Sequence, residues 1–227
     1  MNLILIGCEY SGTTTLAHAI RSWLIRETGA GVRLIHDHWK LPHTSGHFPS
    51  NKTPMTKTEM DQVMALSPTL KEMTQRHSLV YHTPSETRAE HGLVVGYHFD
   101  DGIYGSLYFG YGGNGDNHDR SIFGRELERI LLKHHPETVL VLVKATSSVI
   151  HSRMAKQTHH SGVLQEKDID FVKKQFNYEF NHSLISKKII LDTSASTVEE
   201  SMKEFSEKIW PYLTESDRSR MLLNRVK

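Results

Sequence analysis

The stretch Gly7-Cys8-Glu9-Tyr10-Ser11-Gly12-Thr13-Thr14 decides how the surrounding sequence is interpreted. An apolar run at residues 2–7 leads into it with the character of a buried strand. Residues 13–28 follow it with apolar side chains at helical spacing. A glycine-containing loop between a strand and a helix is the context of the phosphate-binding pattern G-x-x-x-x-G-K-S/T. Both glycines and the final hydroxyl residue match this pattern, whereas Thr13 occupies the lysine position.

The loop predicts a site for the phosphates of a nucleotide. Its glycines let the backbone curl so that N–H groups point inward as an anion nest, and the following helix N-terminus adds positive potential. We expect ATP or another nucleoside triphosphate to bind here, with the Thr14 hydroxyl as a ligand of Mg²⁺. The expected phosphate contacts are Gly7, Ser11, Gly12, Thr13, Thr14 and Thr15. The alternative is a strand-to-helix turn that holds no ligand.

The absent lysine leaves three explanations open. In such loops the lysine neutralises charge on the β- and γ-phosphates during transfer. Another cation takes over this role, or the protein binds a nucleotide without turning it over, or Thr13 is a chance or engineered substitution. The candidate cations are Arg120, Arg125, Arg153 and Lys156, of which Arg120 and Arg153 are predicted as catalytic.

The order of apolar segments predicts an α/β fold. Strands and helices alternate, and uniformly apolar strands joined by helical crossovers indicate a parallel sheet that is covered on both faces. Five strands are predicted at 2–7, 31–36, 91–99, 138–145 and 187–193, with helices at 13–28, 57–83 (broken at Ser67–Pro68), 121–134, 146–155, 166–184 and 197–212. We expect one three-layer domain over 1–227, with a substrate-side loop at 38–56 and a small lid at 153–165.

Composition excludes several classes of partner. The 227 residues carry a formal net charge of +1, which gives no basic excess for a nucleic acid. The apolar run Leu3–Ile6 is too short for a signal peptide or a membrane span, so we expect a cytoplasmic protein with no membrane partner. The chain has one cysteine, Cys8, which excludes an internal disulfide framework.

Three further segments resemble a known family. Residues 100–110 (DDGIYGSLYFG) are similar to the D-R-Y-x-x-S segment of thymidylate kinases, although Asp101 stands where that family has arginine. Gln75-Arg76-His77 resembles the helix whose arginine grips the substrate phosphate, and Arg153 resembles the start of the arginine-bearing lid. With the element order, these segments resemble the thymidylate kinase and deoxynucleoside kinase branch of P-loop NTPases, with an atypical Walker A loop. Thymidylate kinases are commonly dimers, so the resemblance makes a homodimer an expected partner.

Candidate residues for the acceptor side follow from strand ends and from the resemblance. Asp37 and Asp100, which follow the predicted second and third strands, are the expected catalytic acids, because ligands of such sheets bind beyond the carboxyl ends of the strands. Expected substrate contacts are His38, Arg76, Tyr104, Tyr108 and Arg125. The alternatives are loop or capping roles for the acids, solvated charges for the arginines and core packing for the tyrosines. The histidines at 36, 38, 43 and 47 have spacing compatible with a metal, but a loop segment without a cysteine partner disfavours that site.

Two hypotheses for the function result. The first is an ATP- and Mg²⁺-dependent phosphotransferase that acts on a small molecule, for which the resemblance implies a nucleoside or a nucleoside monophosphate. The second is a catalytically silent or slow nucleotide-binding protein with a regulatory role, which the missing lysine favours.

Overall fold

The computed structural model describes residues 1–36, 39–42, 55–83, 91–116, 118–156 and 162–226. Within these residues, five parallel strands form one sheet in the order β2-β3-β1-β4-β5. The strands are β1 (Asn2–Ile6), β2 (Val32–Ile35), β3 (His91–Val95), β4 (Val139–Lys144) and β5 (Lys187–Asp192). The first strand is central, and its Leu3 lies opposite Leu93 of β3 and Val139 of β4.

Helices connect the strands and follow the last one. They are α1 (Thr13–Thr28), α2 (Lys57–Ala65), α3 (Pro68–His82), α4 (Tyr97–Tyr104), α5 (Arg120–His134), α6 (Ser147–Lys156), α7 (Ile169–His182), α8 (Val198–Ile209) and α9 (Glu215–Arg225). A π-helical turn, Gly105–Phe109, continues α4, and 3₁₀ turns lie at Glu166–Asp168 and Trp210–Tyr212.

The sheet separates two apolar cores. Alternate residues of β1 point to opposite faces, so that Ile4 and Ile6 join one core while Leu3 and Leu5 join the other. The first core is completed by buried residues of α3 to α7, and the second by α1, α8 and α9. The predicted three-layer α/β architecture with a five-stranded parallel sheet is therefore confirmed.

Several local predictions are also confirmed. The helix predicted at 13–28 has those bounds. The helical segment 57–83 is interrupted at the predicted place, where Ser67 caps α3 by accepting a hydrogen bond from the N–H of Leu70 and Pro68 occupies the first turn. Pro68 fits there because the first N–H groups of a helix have no partner within the helix.

Two predictions about element bounds are wrong. The third strand ends at Val95 rather than at residue 99, because Gly96 (φ 85°) and Tyr97 (φ 56°) turn the chain into α4. Asp100 and Asp101 consequently lie in a helix and not at the end of a strand. The second error is the omission of α9, whereas the helix predicted at 197–212 corresponds to α8 together with the 3₁₀ turn Trp210–Tyr212.

The outer segments are only partly described. Of the predicted substrate-side loop, the structure describes residues 39–42 and 55–56, and the predicted lid begins inside α6 and continues beyond residues 157–161, which lie outside the described residues. In the part of the chain that the structure describes, no helix is long and apolar enough to cross a membrane.

Candidate functional site

The loop of Gly7–Thr14 leaves the carboxyl end of the central strand with a tightly curled backbone. Tyr10 (φ 65°) and Gly12 (φ 99°) both adopt left-handed conformations, and the N–H of Ser11 donates to the carbonyl oxygen of Cys8 at 3.0 Å. A Cβ atom at Gly7 would lie 2.4 Å from the carbonyl oxygen of Val143. The strand-to-helix turn can therefore be this tight only with glycine at position 7.

The N-terminus of α1 opens onto this curl. Helical hydrogen bonding starts with the N–H of Leu16, which donates to the carbonyl oxygen of Gly12 at 2.9 Å. The N–H groups of Thr13, Thr14 and Thr15 come before this first helical bond and therefore have no acceptor within the helix. Gly12, at the N-cap, has no side chain that could accept a hydrogen bond from them. Such N–H groups and the helix dipole suit an anion.

Ser11 adds a polar side chain to the inside of the loop. Its Oγ atom is buried and has no hydrogen-bond partner within the described residues, and it lies 2.7 Å from where a Cβ atom of Gly7 would be. A buried hydroxyl without a partner costs free energy unless a ligand or water satisfies it. Of the predicted phosphate contacts, Ser11 and the first turn of α1 thus have the strongest structural support.

Arg153 of α6 braces the loop from outside. Its Nη1 donates to the carbonyl oxygen of Tyr10 at 2.9 Å and to Oγ1 of Thr193 at 3.1 Å, and its Nη2 donates to the carbonyl oxygen of Thr193 at 2.7 Å. Thr193, just after β5, donates in turn to the carbonyl oxygen of Ser11 at 2.6 Å. These bonds hold the loop in its curled form and place a guanidinium group against it.

Glu9 joins the loop to two other segments. Its Oε1 accepts a hydrogen bond from Nζ of Lys40 at 2.8 Å, and its Oε2 accepts from the N–H groups of Val163 at 3.2 Å and Leu164 at 3.3 Å. The backbone N–H of Glu9 donates to the hydroxyl of Tyr104 at 3.2 Å. The first half of the loop is therefore tied to the segment after β2, to α4 and to the far end of the predicted lid.

The structure brings two predicted residues, Asp100 and Tyr104, to this half of the loop. Burial raises the pKa of Tyr104 well above its usual value, and the charges of Glu9 and Asp100 raise this pKa further. Burial also raises the pKa of the Cys8 thiol to about 12, with a contribution from the charge of Glu9. Both groups are consequently protonated at neutral pH.

Arg120 lies elsewhere, in a buried group that we call the Arg120 network. Its Nε donates to Asp101 and its Nη1 donates to Glu72 at 2.8 Å, while the hydroxyl of Tyr111 donates to Asp101 at 2.8 Å. The Arg120 side chain is 2% exposed. This arginine thus neutralises two buried carboxylates, and its expected role as a phosphate ligand stays a prediction.

The remaining predicted arginines also have acidic partners. Arg125 joins α5 to α7 by contacting Glu128 at 2.9 Å and Glu179. Arg76 lies 3.4 Å from Glu72 and is half-buried. These contacts describe helix packing and leave the predicted substrate roles as predictions.

Tyr108 connects two segments. Its hydroxyl donates to Oδ2 of Asp168 at 3.0 Å and accepts from the N–H of Gln165 at 3.1 Å. Tyr108 therefore links the π-helical turn to the segment that leads into α7, and its role as a substrate contact stays a prediction.

Some expected ligands lie outside the described residues. These are Asp37, His38, His43 and His47. Within the described ranges, no group of three or more histidine, cysteine, aspartate or glutamate side chains is arranged to hold a metal ion. Thr14, the predicted ligand of Mg²⁺, is half-buried in the first turn of α1.

Sequence reasoning missed three residues of this site. Glu9 stands at a variable position of the loop pattern, and Lys40 and Thr193 belong to no motif. The only signal for Lys40 and Thr193 was position, because both follow strands whose carboxyl ends meet at the edge of the sheet that bears the loop.

Comparison with known proteins finds similarity at the level of the fold alone. No protein-family model matches the sequence, and no curated protein is similar enough in sequence to match it. Among solved structures, deoxyadenosine kinase from M. mycoides with bound dATP is similar, with a TM-score of 0.57 and 11% identity over 92% of this chain and 99% of that one.

Two other solved structures agree with that result. The YorR protein from Bacillus subtilis, in complex with phosphorylated GDP, has a TM-score of 0.56 and 12% identity over 95% of this chain and 100% of that one. Thymidylate kinase from Candida albicans has a TM-score of 0.55 and 18% identity over 92% of this chain and 91% of that one. The chain therefore has a P-loop kinase fold, as the deoxyadenosine kinase and the thymidylate kinase do.

Proposed function

We propose that the chain is an ATP-dependent phosphotransferase that acts on a nucleoside or a nucleoside monophosphate. The observation that carries this proposal is the loop of Gly7–Thr14, with left-handed Tyr10 and Gly12 and with an uncapped helix N-terminus behind it. The buried Oγ of Ser11, which has no partner in the described part of the chain, supports a phosphate as the missing hydrogen-bond partner.

The proposed roles follow from position. The N–H groups at the start of α1 bind the phosphates, and Arg153 keeps the loop curled through Tyr10 and Thr193. Mg²⁺, when bound, would neutralise phosphate charge, and the Thr14 hydroxyl would be its protein ligand. Asp100, at the first half of the loop, or Asp37 orients the acceptor oxygen and accepts its proton when it carries one.

The transfer itself exchanges one phosphorus–oxygen bond for another. The acceptor oxygen forms a bond to the γ-phosphorus while the bond from that phosphorus to the β,γ-bridging oxygen breaks, and ADP leaves. Little covalent chemistry falls to the protein, so positioning and electrostatic stabilisation carry the catalysis. We propose a single domain over 1–227 in which residues 38–56 lie at the acceptor and residues 153–165 act as a lid.

A nucleoside acceptor has two supports. The structurally similar proteins include a deoxyadenosine kinase and thymidylate kinases. In addition, Gln75 of α3 is fully buried, and neither amide atom has a hydrogen-bond partner within the described residues. A planar amide offers a donor and an acceptor side by side, which matches the edge of a nucleobase.

The alternative function is nucleotide binding without turnover, in a regulatory role. Its support is Thr13 at the lysine position, together with the acidic partners that hold Arg120 and Arg125 away from that role. Acceptor-dependent turnover distinguishes the two functions.

The test is ADP formation from ATP and Mg²⁺ across a panel of nucleosides and nucleoside monophosphates. We expect formation that depends on one acceptor class, and we expect Thr14→Ala to reduce it by at least about tenfold, because a ligand of the metal is lost. Thr197→Ala is the matched control, since it removes a threonine hydroxyl from the N-terminus of α8 instead.

Three outcomes are informative. Turnover that needs an acceptor and depends on Thr14 supports the kinase. ATP-induced thermal stabilisation without turnover across the panel supports the silent protein, because a bound ligand raises the free energy of unfolding. A chain that ATP does not stabilise contradicts both proposals.

A further inference from the structure

We propose that Lys40 supplies to the nucleotide phosphates the positive charge that Thr13 does not supply. This inference rests on the proposed binding of a nucleoside triphosphate at the loop of Gly7–Thr14, and it concerns which side chain completes that site.

Lys40 is held against the loop by a residue of the loop itself. Its Nζ lies 2.8 Å from Oε1 of Glu9, and the side chains of Lys40 and Glu9 are 14% and 7% exposed. The ammonium group also lies 5.3 Å from the ring centroid of Tyr104. A mostly buried cation thus lies where the backbone of the loop begins to curl, although nothing in the loop pattern predicts it.

Other cations near the loop have partners that suit a different role. Arg153 donates to the carbonyl oxygens of Tyr10 and Thr193, which makes it a brace of the backbone. Lys173 of α7 donates to Oγ of Ser147 at 2.7 Å. Arg120 is in the Arg120 network, with carboxylates from α3 and α4.

The Glu9–Lys40 pair is arranged so that its cation can change partners. If Lys40 turns to a phosphate, Glu9 still accepts hydrogen bonds from the N–H groups of Val163 and Leu164, so that its carboxylate remains satisfied. Lys40 would exchange the Glu9 carboxylate for a more highly charged anion and would not become an unpaired buried charge. Unpaired buried charge is the main cost of breaking such pairs.

The test measures ATP affinity by calorimetry with Mg²⁺ present. Lys40→Met alone also leaves Glu9 without its cation, and an uncompensated carboxylate would repel phosphates. The decisive comparison is therefore between Glu9→Gln and the double variant Glu9→Gln/Lys40→Met. We expect the double variant to bind ATP about 10- to 100-fold more weakly, the loss typical of one charge-assisted hydrogen bond.

A second arm asks whether the lost charge can be returned at the usual position. Thr13→Lys in the Lys40→Met background is expected to recover at least about tenfold in ATP affinity, since a lysine at that position contacts phosphates in such loops. If Lys40 had a purely structural role, Thr13→Lys would not restore ATP affinity in the Lys40→Met background. If Thr13→Lys by itself weakens ATP binding, this arm cannot report on Lys40. The comparison between Glu9→Gln and Glu9→Gln/Lys40→Met then decides whether Lys40 contributes to ATP affinity.

Lys57→Met is the control, because Lys57 and Asp61 form an ion pair of the same 2.8 Å length on the exposed surface of α2. The ATP affinity of Lys57→Met should equal that of the unmodified chain.

Equal ATP affinity of Glu9→Gln and of Glu9→Gln/Lys40→Met would overturn the role of Lys40 and leave the kinase proposal standing. Lys40-dependent binding without any ADP formation would support Lys40 and contradict the kinase. A chain that does not bind ATP overturns both.

Discussion

The Arg120 network and the Glu9–Lys40 pair both place a cation against carboxylates in the interior, yet they differ in what surrounds them. Side chains of Glu72, Asp101 and Arg120 are at most 2% exposed, and they come from three helices, α3, α4 and α5. Lys40 keeps 14% of its side chain exposed, and its partner belongs to the phosphate loop. One arrangement is closed to solvent on all sides, and the other lies at the rim of the candidate site.

This difference separates a charge that supports the fold from a charge that we propose binds a ligand. Removing one member of a dry ion pair leaves a buried charge that neither water nor a ligand can reach. A pair at a rim can exchange partners, because solvent and substrate approach it. Under the proposed role of Lys40, residue type alone, which singles out arginines, is a poor guide to the cation that binds the phosphates.

The largest expected effect is on stability, from Arg120→Met. We expect a loss of about 3–5 kcal/mol in the free energy of unfolding, because Asp101 would remain buried without its cation and Glu72 would keep only the more distant Arg76, at 3.4 Å, as an arginine partner. Urea denaturation followed by circular dichroism measures it. A loss below about 1 kcal/mol would contradict the closed character of the network, since that is the range of exposed pairs.

The loss in Arg120→Met should depend on pH. Burial raises the pKa of Asp101, and Arg120 lowers it, so that removal of Arg120 raises it further. A carboxyl with a raised pKa in the folded state binds protons more readily than in the unfolded state, and stability therefore rises as pH falls. The deficit measured against the unmodified chain should be smaller at pH 5 than at pH 8.

An intermediate effect is expected for Arg153→Ala, which removes a cation whose partners are carbonyl and hydroxyl oxygens. We expect a loss of about 1–3 kcal/mol in the free energy of unfolding, from hydrogen bonds made by a charged donor. The ATP-induced rise in melting temperature should also shrink, because Tyr10 and Thr193 are no longer joined. An unchanged ATP response would show that the loop keeps its curl without the brace.

The smallest effect is expected for Lys57→Met, which breaks the exposed pair with Asp61. Solvent screens this pair, so the urea midpoint should remain within experimental error of the unmodified chain. The two midpoints measured side by side test this. A clear shift would mean that the length of an ion pair, rather than its burial, sets its contribution, and it would weaken the comparison with Arg120.

Much of the fold was predictable from local patterns. In three places a single local feature was enough to predict the element. These features are the glycines of the loop Gly7–Thr14, the helical spacing of apolar residues in α1 and the uniformly apolar sequence of β4. The Ser67–Pro68 break was predictable for the same reason, since a capping hydroxyl followed by proline is typical of a helix start.

Other features depend on contacts that are distant in sequence. The apolar run continues past Gly96 through Tyr97 and Phe99, so the pattern predicts that the strand continues as well. Gly96 was the only local sequence signal for the turn that ends β3. In α9 the buried residues are Asp217 and Met221, too few for an apolar face to be recognised, although Thr214 and Asp217 form a capping box. Lys40 meets Glu9 only because β2 and β1 end at the same edge of the sheet.

Because Cys8 is buried, its reaction with a thiol reagent can be used to measure opening of the loop of Gly7–Thr14. The chain has a single cysteine, it lies in this loop, and its thiol has a pKa raised to about 12. A thiol reagent therefore reacts only when the loop opens, since the thiolate is the reactive form and the closed site provides almost none. The rate at which Cys8 is alkylated in the unmodified protein therefore measures how often the loop opens at this position. A bound nucleotide should lower this rate.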